Sequence, residues 1–259
     1  MKIEDKSIFL HIDGVKELME EYCEFLQETK GSSGHTIVVY GDTGCGKKFF
    51  SEECIKKIKN KNEDIFIIDL LDNFKASNYS SEEKLKEILG IIEYKLKFEK
   101  LDNVSANPEK FKIILEDMLN NNNKLLLIRF PHIEVFEEIQ KYYAYLSNKN
   151  TILYFITEKK EIVDECMKKI EDIRYFQCEH LKEGDGKLVI EKLFSDEEYP
   201  KFNVDEIEQV MSAKPLDKKM TIKELKKLCE YTYSYAKQKG IENITYETIT
   251  MALAAHDII

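Results

Sequence analysis

Eight consecutive residues, Gly41, Asp42, Thr43, Gly44, Cys45, Gly46, Lys47 and Lys48, carry the clearest chemistry in the chain. They fit G-x-x-x-x-G-K at every fixed position. Glycines let backbone N–H groups curl around phosphate oxygens, the N-terminus of a following helix adds its positive dipole end, and Lys47 reaches the outer phosphates. An apolar run precedes the segment and a helical pattern follows it, as such a loop requires. A glycine-rich turn with no ligand is the plain alternative, but the agreement of strand, glycines, lysine and helix favours a phosphate site. The departure is Lys48, which stands where a Ser or Thr hydroxyl normally holds Mg²⁺. An ammonium has no lone pair for a metal, although it can neutralise phosphate charge in the metal's place. Magnesium binding is therefore in doubt.

Nucleotide hydrolysis needs a second element, an apolar strand ending in carboxylates that hold the metal and polarise the attacking water. The best candidate, Leu125 to Ile128, ends instead in Arg129 and Phe130. The other possibility is Ile65 to Asp69, which keeps Asp69 as a candidate metal ligand. Strand order decides between them, and sequence does not fix strand order.

These residues need a scaffold. Apolar runs at Thr36–Tyr40, Ile65–Leu70, Lys124–Ile128, Thr151–Ile156 and Tyr175–Cys178 read as buried strands. Helical patterns lie between them at Val15–Glu28, Lys47–Ile58, Glu82–Glu99, Pro108–Leu119, Ile133–Tyr145 and Glu161–Ile170, and Asn120–Asn123 reads as a loop. The alternation predicts an α/β fold with a five-stranded parallel sheet flanked by helices. After Leu181 the strand-like runs stop, and Gly186–Phe194, Val204–Met211, Ile222–Gln238 and Tyr246–Ala255 read as helices. The change predicts a boundary near Glu197 to Pro200, between a nucleotide-binding domain over 1–197 and a small helical domain over 198–259.

Composition narrows the partners. A net charge of -10 opposes autonomous nucleic-acid binding, which needs a local excess of Lys and Arg. The 6 cysteines show no C-x-x-C spacing, which argues against a zinc ribbon or a disulfide framework. Cys178 and His180 alone do not make a metal site, and Cys45 reads as a small side chain tolerated in a tight loop rather than a redox thiol. No run is apolar and long enough to span a membrane, and the first residues do not form a secretory signal. An intracellular protein is expected, nuclear if eukaryotic and otherwise cytoplasmic, with no membrane partner.

The order of these elements resembles the AAA+ superfamily of P-loop ATPases, with degenerate metal and water motifs. Ile8 to Leu26 looks like the family's lead-in helix beside the adenine. The segment from Thr221 to Ala236, followed by Gly240 and Ile244 to Ala252, resembles the lid of origin recognition and related initiator ATPases. The resemblance implies ATP or ADP as ligand, Thr157 as a γ-phosphate sensor, Lys223 as a phosphate contact where arginine is usual, and Arg174 as an arginine finger for a neighbouring subunit. For Arg174 an ordinary surface ion pair is the alternative. Initiator relatives usually continue into a winged-helix DNA-binding domain, for which this sequence has no room. The reading is an ATP-binding subunit with weak or absent hydrolysis, working with other AAA+ subunits in a replication machine and touching DNA only through that complex. A nucleotide-free interaction scaffold and a bacterial defence or transposition ATPase are the alternatives.

Overall fold

Runs of Val, Ile, Leu and Phe without polar alternation suit strands covered on both faces. In the computed structural model, which describes residues 12–29, 34–62, 64–71, 80–96, 104–122, 124–182, 184–194, 200–212 and 220–255, they build the sheet. Strands β1 (His35–Tyr40), β2 (Ile65–Asp69), β3 (Leu125–Ile133), β4 (Thr151–Thr157) and β5 (Ile173–Gln177) pair in the order β2-β3-β4-β1-β5, all parallel. Parallel neighbours need long crossovers. Helices α2 (Lys47–Lys61), α3 (Ser81–Leu96), α4 (Pro108–Asn122), α5 (Phe136–Leu146) and α6 (Lys160–Lys169) supply them, and α1 (Asp13–Glu28) precedes β1. The α/β class and the five-stranded parallel sheet are those the sequence predicts.

Contacts divide the chain into two compact units. Residues 22–41 and 51–177 form one of them, which holds the whole sheet. There Val38, Leu126, Ile128, Leu153 and Phe155 of the strands are fully buried with Leu89, Phe111, Leu115 and Ile139 of the helices. Burial of each such side chain is worth roughly 1.5–3 kcal/mol before chain entropy is counted.

The described residues among 1–21, 42–50 and 178–259 form the other unit. Its helices are α7 (Asp185–Phe194), α8 (Val204–Ser212), α9 (Ile222–Lys239) and α10 (Tyr246–Ala255), around a core that includes Ile190, Ile207, Leu225, Cys229, Ile244 and Ile249. Local signals explain the ends of α9. Thr221 and Glu224 form a capping box at its start, and Gly240, at φ 66°, closes it in the left-handed region that glycine tolerates. Thr245 accepts from Thr248 N at the start of α10.

Several expectations need correction. Asn120 to Asn122 form the last turn of α4 rather than a loop, with Asn122 Nδ2 donating to Met118 O at 2.8 Å; residue 123 lies outside the described residues. Ile133 ends β3 instead of opening a helix. Pro131 has no N–H to give the ladder, and the strand passes it in a bulge between Arg129 and His132 before pairing again through Ile133 and Thr157. Strands do not stop at Leu181, because β6 (Lys201–Phe202) pairs with β7 (Asn243–Ile244). Residues 8–11 of the lead-in helix, 97–99 of a predicted helix end and 197–199 of the predicted boundary lie outside the described residues.

Candidate phosphate site

Gly44 and Gly46 have φ of 95° and 90°, values an L side chain rarely adopts, so the loop between β1 and α2 takes a shape that only glycine supports there. Gly44 has a second reason to lack a side chain. A Cβ there would lie 2.9 Å from Thr221 Oγ1 and 2.9 Å from Lys223 Cβ. The start of α9 thus packs directly on the loop, and Lys223 N donates to Gly44 O at 3.2 Å. Lys223 points an exposed side chain from that helix start.

Lys47, the first residue of α2, is 8% exposed and donates from Nζ to Asp42 O at 2.8 Å. Cys45 N donates to the same carbonyl at 3.2 Å. The Asp42 carboxylate lies 3.2 Å from His180 Nε2, a partner the sequence did not reveal. Thr43 and Lys48 are exposed. Burial pushes the Cys45 thiol up to about 11, outweighing the nearby Lys47, so it stays protonated and unreactive at neutral pH. Cys178, pushed up by burial to about 12, lines the same small cleft with Ile12, Val15, Leu18 and Ile222. This cleft measures about 10 Å³, room for one water.

The C-terminal ends of β2 and β3 carry a different kind of chemistry. Arg129, 4% exposed, donates through Nε to Asp69 Oδ1 at 3.0 Å and through Nη2 to Asp69 Oδ2. Its Nη1 donates to the buried Ser51 Oγ of α2 at 2.9 Å. Phe130 faces the other side of the strand, fully buried and stacked on Tyr142 at 4.8 Å and Phe155 at 4.6 Å between ring centroids. Tyr142 is therefore a packing residue. Strand order puts β3 two places from β1 and β2 three, so Asp69 ends the outer strand, roughly 14 Å from β1 at a spacing of about 4.8 Å per strand.

This donor set does not fit Mg²⁺. At the ends of β2 and β3 a guanidinium and a phenyl ring follow the apolar run of β3, and the carboxylate there, Asp69, is gripped by Arg129. Among the described residues no group of three His, Cys, Asp or Glu is placed to hold a metal ion.

Thr157 ends β4 fully buried. Its hydroxyl donates to Ile133 O at 2.9 Å and accepts from Lys159 N at 3.2 Å. Arg174 lies on β5, the other outer strand, exposed, with its guanidinium 6.0 Å from the Phe25 ring centroid. Ser51 had no sequence signal. Thr221 had one, the T-x-x-E pattern of a capping box, which marks a helix start but not what that start packs on.

A protein-family model described as the KAP family P-loop domain matches residues 15–227. Solved structures give the same fold. A chain of the Drosophila ORC bound to DNA matches with a TM-score of 0.67 at 11% identity, over 95% of this chain and 61% of that one. Cdc6p from Pyrobaculum aerophilum matches at 0.64 and 12%, over 97% and 71%. The Aeropyrum pernix ORC2 protein in its ADPNP-ADP complexes matches at 0.61 and 11%, over 93% and 67%. At these identities the likeness is one of fold, and this chain spans about 61% of the Drosophila chain's length. No curated protein matches the sequence.

Proposed function

Because the chain belongs to the KAP family of P-loop domains, we propose that it binds ATP and ADP through Gly41–Lys47 and uses the bound nucleotide as a structural switch, with weak or absent hydrolysis. The observation that carries this reading is the loop itself. Gly44 and Gly46 hold a left-handed backbone at the start of α2, beside Lys47, which is the geometry that turns N–H groups toward an anion. Slow hydrolysis follows from Lys48, Arg129 and Phe130, which supply neither a metal ligand nor a base for water. In this reading Lys223 contacts the phosphates from α9, and residues 198–259 act as a lid. Thr157 senses the γ-phosphate once its hydroxyl proton leaves Ile133 O. Arg174 on its outer strand reaches a neighbour's nucleotide, leaving Phe25.

The ORC and Cdc6 fold favours a role as an assembly component among other AAA+ subunits in a replication-type machine, intracellular and away from membranes. Among the described residues no helix is long and apolar enough to cross one. DNA contact then belongs to the assembly, in keeping with the net charge of -10.

Thermal melting tests the reading, with ATP or ADP, each in Mg²⁺ or EDTA, on wild type and Lys47→Ala. Nucleotide at a hundredfold excess over Kd should stabilise the wild type by about 2.7 kcal/mol and leave the variant unmoved. A melting point that no nucleotide shifts would put an interaction scaffold in its place, and a fast, Lys47-dependent, Mg²⁺-dependent ATPase would overturn the hydrolysis part alone.

A further inference from the structure

A cavity of about 320 Å³ opens at the N-terminal ends of β4, β1 and β5. Every residue that lines it belongs to the unit formed by residues 22–41 and 51–177, and none belongs to Gly41–Lys48. We propose that this cavity binds a small zwitterion, a molecule carrying an ammonium and a carboxylate in the manner of a free amino acid. Its volume lies at the lower end of the range for small-molecule pockets, roughly 300–1,000 Å³.

Charge is divided across the cavity. The turn from α5 to β4 brings Lys149 to one side, and the turn from α6 to β5 brings Glu171 and Asp172 to the other. Because β1 lies between β4 and β5, the two turns stand two strand spacings apart, roughly 10 Å. The start of β1 holds both in place, with Gly34 N donating to Lys149 O at 2.7 Å and Thr36 N to Asp172 O at 3.2 Å. Within the first turn Thr151 N donates to Asn148 O at 3.1 Å and Asn150 N to Asn148 Oδ1 at 2.8 Å. A Cβ on Gly34 would lie 1.8 Å from Asn148 O, so this packing requires glycine there. His35 also lines the cavity, from the start of β1. Burial holds its imidazole below the usual range against the opposing pull of Asp172, so at neutral pH it is uncharged and leaves the two carboxylates to an incoming ammonium.

The floor holds a polar group without a partner. Thr151 opens β4 and is 1% exposed, and its hydroxyl has no hydrogen-bond partner among the described residues. Thr151 and Leu153 both line the cavity and, two residues apart in a strand, point to one face of the sheet, where Tyr143 of α5 forms a wall. A buried hydroxyl left unsatisfied costs stability, and at the floor of a polar cavity a ligand can satisfy it. Lys149 and Thr151 stand on the same side, so both can donate to a carboxylate there while an ammonium meets Glu171 and Asp172 opposite. A simple anion would face the two carboxylates, a simple cation would face Lys149, and a neutral polyol would answer neither charge.

Isothermal titration calorimetry on the full chain tests this with the common free amino acids as probes. Each is also offered as its methyl ester, which lacks the carboxylate, and as its N-acetyl form, which lacks the ammonium, with mannitol as a neutral polyol. At least one free amino acid should bind, and both of its capped forms should bind at least about tenfold more weakly, the scale of one hydrogen bond to a charged group. Lys149→Gln should weaken the free amino acid about tenfold, and so should Asp172→Asn, in which Asn tolerates the left-handed backbone that Asp172 holds at φ 53°. If Asp172→Asn fails to fold, Glu171→Gln at the exposed neighbouring position takes its place. Thr151→Val should weaken binding and also raise the melting point of the free protein, because the unpartnered hydroxyl is gone. A lower melting point would show that hydroxyl to be structural and overturn its part in the site. Binding of no free amino acid, equal binding of the capped forms or of mannitol, or full affinity in both Lys149→Gln and the carboxylate variant overturns the proposal.

Discussion

The phosphate loop and the ends of β2 and β3 are made of different material. In the loop the working groups are backbone N–H groups, shaped by Gly44 and Gly46 and backed by the start of α9. At the ends of β2 and β3 the polar and aromatic groups are side chains, an Arg129–Asp69 pair and the stacked Phe130. A backbone-made site constrains which residues are small, and tolerates much else. A side-chain-made site can be rewritten one residue at a time while the strand beneath it stays intact, because alternation along β3 offers one residue to the pocket side and the next to the core.

The comparison predicts that the first region breaks when its shape changes and the second when its polar partners change. The largest effect falls on Gly44→Ala, which combines a disallowed φ with a Cβ pressed against Thr221 and Lys223; a loss of about 3 kcal/mol is expected in chemical denaturation. A tolerated alanine would mean that the loop and α9 separate easily. Next comes Ser51→Ala, which leaves one arm of a buried guanidinium without its acceptor and should cost about 2 kcal/mol, the scale of a hydrogen bond to a charged group. Unchanged stability there would show that Arg129 is held by Asp69 alone. The smallest is Thr221→Ala, which removes the N-cap of α9 for about 1 kcal/mol, with Thr221→Ser recovering most of it. If Thr221→Ala cost as much as Gly44→Ala, the contact with the loop would outweigh the cap.

Much of this was legible in the sequence because it depends on local rules. The glycine spacing and the apolar runs that become β1 to β5 each follow from one stretch of chain. What stayed hidden depends on partners far away in sequence. Arg129 was read as a departure from a pattern and Asp69 as a candidate metal ligand, but their pairing needs the β2–β3 register, which only folding supplies. Ser51 looks like any polar residue in a helix until Arg129 reaches it. His180 was weighed as a metal ligand and meets Asp42 instead. Ile133 was assigned to a helix, whereas a bulge between Arg129 and His132 lets β3 continue through it.

The close approach of Gly44 to Thr221 also sets an order in time. Thr221 follows Gly44 by 177 residues (221 − 44), a gap that takes roughly 10–35 seconds to synthesise at about 5–20 residues per second. The sheet unit ends at Gln177 and can assemble while the rest is still being made. From Gln177 to Thr221, a further 44 residues (221 − 177) or roughly 2–9 seconds of synthesis, a newborn chain can hold its full sheet while the loop at Gly44 still lacks the backing of α9.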